Sequence, residues 1–126
     1  MKKERPMNLA INTIALPATA YASILHRVSG VIVWVAMLVA IVISYFALKS
    51  ETNFDEVSSI LENYFIAKFV VWGFLTALGY YCMGTIKHII QDFGYCEELK
   101  SGKVISLAAI VVGVLLSILA IWWIWL

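Results

Sequence analysis

The sequence predicts an all-α membrane protein of three transmembrane helices, with a cytoplasmic N-terminus and a periplasmic C-terminus. Three observations lead there. The 126 residues are 63% hydrophobic and only 13% charged, about half the charge of an ordinary soluble domain. Mean hydropathy is +0.92. Three long stretches carry no charge at all: Val28 to Leu48, Phe69 to Ile86, and Val104 to Leu126. Each is long enough to cross a hydrocarbon core at about 1.5 Å per residue. A net charge of +1 gives no reason to expect nucleic acid as a partner.

The domain plan has two parts. Residues 1–19 form a cytoplasmic, interfacial segment. Residues 20–126 form the three-helix domain, with spans at about 20–48, 64–92 and 104–126. Lys2, Lys3 and Arg5 make the first residues basic. Pro6 and Pro17 argue against one continuous helix before Thr19. Thr13 and Thr19 are candidate helix caps. No cleavable signal peptide is expected, because Pro17, His26 and Arg27 interrupt the first apolar run.

Between the first two spans lies an acidic loop with Glu51, Asp55, Glu56 and Glu62, and Phe54 to Leu61 reads as a short amphipathic helix. Lys68 can snorkel from the second span, and Gly94 is its expected stop. A polar loop, Tyr95 to Lys103, precedes the third span. Trp122, Trp123 and Trp125 form an interfacial aromatic anchor at its end. Cys82 falls in a span and Cys96 in a loop, which is neither a disulfide framework nor a metal motif.

Orientation follows from lysine and arginine. Lys2, Lys3, Arg5, Lys87, Lys100 and Lys103 fall on one side, against Lys49 and Lys68 on the other. The richer side is cytoplasmic. His26 and Arg27, opening the first span, therefore meet Lys87, His88 and Asp92, closing the second, at one membrane surface. A single polar site can draw on both.

Ser23 and Arg27 are four apart and share a helix face. A hydroxyl beside a guanidinium suits a carbonyl or carboxylate that gains negative charge, such as a quinone headgroup or a haem propionate. The plain alternative is an arginine snorkelling to lipid phosphate. His26 can donate to an acid, shuttle a proton or ligate a metal, or simply satisfy a neighbour. Ala77, Tyr81, Gly84 and His88 form one face of the second span, with Gly73 and Asp92 beyond its ends. Small residues there admit a flat cofactor or a neighbouring helix. No phosphate loop, hydrolytic triad or multi-histidine box is visible.

The stretch Ser23-Ile-Leu-His-Arg-Val-Ser-Gly30 resembles the Ser-x-x-His-Arg-x-Ser/Thr-Gly opening of the first span in the cytochrome b-type anchor subunits of succinate dehydrogenase, respiratory Complex II. Arg5-Pro6-Met7-Asn8-Leu9 is similar to that family's Arg-Pro start. Lys87-His88-Ile89-Ile90-Gln91-Asp92-Phe93-Gly94 is similar to its Arg-His-x-x-x-Asp-x-Gly end of the second span. The likeness covers nearly the whole chain.

This resemblance implies a large anchor subunit in a bacterial inner membrane, paired with a second small three-helix anchor. Together they would hold an iron–sulfur subunit and a flavoprotein on the cytoplasmic side. Electrons from succinate, oxidised in the tricarboxylic acid cycle, would pass to ubiquinone. By position, Ser23 and Arg27 would line the quinone site, with Ile24 and Leu16 as apolar wall and Asp92 in support. His26 and Arg27 would approach the propionates of a haem b. The sequence departs from the family at the axial histidine, where Tyr81 stands. His88 lies two turns further on, about 10 Å along the axis. Haem held by His88, haem held by Tyr81 or only by the partner anchor, and no haem all remain open. A fumarate reductase anchor and a purely structural anchor are the alternative functions.

Overall fold

A computed structural model describes residues 18–126, and they form four helices. These are α1 (Ala18–Ala47), α2 (Glu51–Asn63), α3 (Phe65–Asp92) and α4 (Leu99–Trp125). The helices α1, α3 and α4 are each long and apolar enough to cross a membrane. Arg5 to Leu9, Thr13 and Leu16 lie outside the described residues.

Helix α1 is already formed at Ala18, so Thr19 sits in its first turn instead of capping it. The helix ends where Leu48 and Lys49 turn back on the carbonyls of Ser44 and Phe46. The Lys49 ammonium lies 4.8 Å from the Tyr45 ring centroid and 5.0 Å from that of Phe46. Each face is close enough for cation–π attraction.

The acidic loop is more helical than its sequence predicts. Helix α2 takes in Glu51 to Asn63, because Ser50 caps it: the Asn53 amide donates to Ser50 Oγ at 3.0 Å. Glu51 in the first turn faces the positive end of the helix dipole. One extended residue, Tyr64, separates α2 from α3.

Helix α3 ends as predicted at Gly94, in a Schellman turn. Gly94 takes φ +87°. Its amide donates to the Gln91 carbonyl at 3.0 Å, and that of Tyr95 donates to Ile90 at 3.3 Å. Cys96 also takes a left-handed φ, 57°, and its carbonyl accepts from Gln91 Nε2 at 3.2 Å. With the chain reversed this tightly, helix resumes at Leu99. The predicted loop therefore yields Leu99 to Lys103 to α4. Gly102, inside that stretch, is buried, and Ser106 one turn later is 0% exposed with its hydroxyl donating to the Gly102 carbonyl at 2.7 Å. Charge had marked this segment as loop, but its small residues pack as helix.

Helices α3 and α4 run antiparallel along a close seam. Tyr80 lies against Gly113, where an added Cβ would come within 2.9 Å of the ring. Leu116 lies on Gly79. Trp72 Nε1 donates to the Ser117 carbonyl at 3.2 Å, and the Thr76 and Ser117 hydroxyls are 2.8 Å apart. Phe65 meets Trp125 at the far end, with ring centroids 6.0 Å apart. The bilayer supplies no hydrophobic drive between spans, so small residues and polar pins carry such a seam. Helix α1 is the least covered span, with only Ala22, Ser29 and Ala47 buried. Past Gly30 it borders an apolar groove of about 560 Å³ lined by Val31, Val35, Val39, Val70, Gly73 and Phe74, among others.

Candidate functional site

The N-terminal part of α1 is held against the C-terminal part of α3 by one small cluster. The His26 ring lies flat on Tyr81, with centroids 4.6 Å apart and planes within 6°. His88 meets the same imidazole edge-on at 5.1 Å. His26 Nε2 is 3.1 Å from Thr85 Oγ1. These rings fit because glycine faces them from both helices. A Cβ at Gly84 would lie 2.5 Å from His26 Cδ2, and one at Gly30 would lie 3.0 Å from Tyr81 Cε2. The face expected from Ala77, Tyr81, Gly84 and His88 is thus an α1-facing surface, and His26 is the group it receives.

The hydrogen bonds fix a tautomer. Thr85 has one hydroxyl hydrogen, and it is directed to the Tyr81 carbonyl at 2.8 Å. Thr85 Oγ1 must then accept from His26, so His26 Nε2 carries a proton. Its remaining lone pair is on Nδ1.

Two residues here escaped the sequence reading. Thr85 is four residues from Tyr81, on the same helix face; that spacing was a usable signal. Tyr80 faces the seams with both α1 and α4 and is 8% exposed. Its hydroxyl donates to the Ala22 carbonyl at 2.7 Å. An aromatic pair such as Tyr80-Tyr81 does not reveal from sequence which ring turns inward.

The other sequence-derived residues are distributed as follows. Ser23 and Ile24 are half-buried on α1, and Arg27 is exposed one residue past the fastened His26. Asp92 is exposed at the end of α3. Lys87, expected with His88 and Asp92 at the cytoplasmic membrane surface, is 5% exposed. Gly73 has open space beside it. Cys82 and Cys96 are free thiols, and among the described residues no group of three or more His, Cys, Asp or Glu could hold a metal ion.

A cationic, imidazole-bearing end of a three-span bundle is suited to binding an anionic or carbonyl-bearing group at a membrane boundary. The comparisons with known proteins agree with such a setting. A family model described as the succinate dehydrogenase/fumarate reductase transmembrane subunit matches residues 1–120. The succinate dehydrogenase cytochrome b556 subunit of Coxiella burnetii (strain RSA 493 / Nine Mile phase I) is 29% identical over 125 residues, covering 99% of this chain and 100% of that one. The chain is a multi-pass membrane protein, and it belongs to the family of succinate dehydrogenase/fumarate reductase transmembrane subunits.

Proposed function

We propose that the chain anchors a succinate–ubiquinone oxidoreductase in a bacterial inner membrane and forms part of its quinone-reducing site. One observation carries this reading: Arg27 is exposed on a spanning helix, next to a histidine fastened to α3. An intramembrane arginine is costly unless it meets protein, water or an anionic group. Here the neighbouring residue is locked, so the backbone of Arg27 is held in place beside α3.

The chemistry follows from the residue types. Reduction of a quinone places negative charge on its carbonyl oxygens. Arg27 and Ser23, one turn apart, donate hydrogen bonds to one such oxygen, and these strengthen as the charge grows. Ile24 and Leu16 hold the ring from its apolar side. Asp92, at the same end of the bundle, relays protons from the cytoplasmic surface. The iron–sulfur subunit delivers electrons there from the flavoprotein, and a second small anchor completes the site. The printed name of the Coxiella relative favours succinate oxidation over fumarate reduction.

That relative's name also speaks of a b-type cytochrome, and we carry haem b to this chain as part of the proposal. The donor set offers it one imidazole outside the stacked seam, that of His88, which meets His26 edge-on. A bound haem b would supply a one-electron station within the span. Arg27 is the stronger propionate partner, because the Nε2 proton of His26 is already given to Thr85.

The test uses the assembled complex. Ser23→Ala should lower kcat/KM for ubiquinone about tenfold and Arg27→Ala about a hundredfold, corresponding to roughly 1.4 and 2.7 kcal/mol of transition-state stabilisation. Succinate oxidation with an artificial dye should be unchanged in both. Unchanged ubiquinone kinetics in both variants would leave this chain a structural anchor only.

A further inference from the structure

The chain offers several atoms that could reach a haem iron, and the cluster geometry distinguishes among them. Tyrosine and cysteine ligate as anions, and an anion in a span is costly. Tyr81 is also built into the helix seam, with one ring face covered by His26 and its edge against Gly30. A neutral imidazole is the commonest metal ligand, and the chain has two histidines. His26 is committed. Its Nε2 proton goes to Thr85, its face lies on Tyr81, and its Cδ2 edge presses on the backbone of Gly84. Freeing it would undo one of the two fasteners between α1 and α3.

We infer that His88, and neither Tyr81 nor His26, is the residue through which this chain ligates haem iron. Among the described residues His88 is half-buried and meets the cluster by an edge contact with His26, outside the stacked seam. It stands two turns from Tyr81, about 10 Å along the helix axis, towards Asp92. His26 is then a positioning residue, holding α1 so that the His88 ring has a wall on one side. This rests on the haem part of the function proposed above.

The experiment is spectroscopic, on the whole complex. Haem is counted by pyridine haemochrome, and its spin state is read by low-temperature electron paramagnetic resonance and by the carbon monoxide difference spectrum. His88→Ala should convert a six-coordinate low-spin signal to a high-spin, carbon monoxide-binding one. Tyr81→Phe should leave the native signal. If His88→Ala fails to assemble, His88→Met keeps a neutral ligand in place, and a shifted α-band with a raised potential is expected. A native spectrum in His88→Ala or His88→Met, or a lost low-spin signal in Tyr81→Phe, overturns the assignment while the haem reading stands. A native complex without any haem overturns both.

Discussion

Tyr80 of α3 donates a 2.7 Å hydrogen bond to the carbonyl of Ala22 in α1, one helical turn before His26. The bond crosses the seam beside the point where His26 enters it. The Ala22 carbonyl stays within the α1 ladder, so Tyr80→Phe removes one bond without orphaning a group. A loss of about 0.5–1 kcal/mol is expected. Unfolding of the purified chain in mixed micelles, monitored by circular dichroism, measures it. A loss above about 3 kcal/mol would mean that the hydroxyl does more than pin two helices.

Gly84 and Gly73 make a matched pair for a second prediction. Both are in α3, but a methyl at Gly84 would meet His26 Cδ2 at 2.5 Å, whereas one at Gly73 meets nothing within 4 Å. Gly84→Ala should destabilise by about 1–3 kcal/mol through overpacking. Gly73→Ala should be neutral or stabilising by up to about 1 kcal/mol. Thermal inactivation of the complex should rank them in that order.

The tautomer of His26 gives the third. Nitrogen-15 chemical shifts of labelled imidazole should report protonated Nε2 and bare Nδ1 at His26. Thr85→Val keeps the shape and removes the acceptor, so both tautomers should become populated. Thr85→Ser should restore the native pattern. An Nδ1–H form in the native chain would contradict the Thr85-to-Tyr81 hydrogen bond.

The fourth concerns α2. Its cap rests on Ser50 accepting from the Asn53 amide at 3.0 Å. Ser50→Ala should cost about 1 kcal/mol locally. Hydrogen exchange should quicken at residues 51–54 and stay unchanged in the spans.

How much of this was legible beforehand depended on the kind of signal. Uncharged runs and the Gly94 stop located three spans to within a few residues, since span length and the left-handed C-cap are strong, local constraints. The start of α4 was misplaced because Lys100 and Lys103 read as loop, whereas the packing value of Gly102 and Ser106 appears only once α3 lies beside them. The meeting of His26 with His88 followed from orientation alone. Its stacking on Tyr81 did not, because nothing in a sequence gives the rotation of one helix about its axis against another. The burial of Lys87 was not legible for the same reason: its long stem allows either burial or escape.

The bareness of α1 bears on where its arginine stands. Past Gly30 only Ala47 of α1 is buried, and an apolar groove opens between that half and α3, so the location of Arg27 is set chiefly at the other end of the helix. It is enforced by two fasteners, at Ala22 and at His26, on either side of Ser23. A helix held in this way keeps its first turns fixed while its far half takes the tilt of whatever surrounds it. Changes in bilayer thickness would thus be absorbed beyond Gly30, leaving the backbone of Arg27 in register with the end of α3.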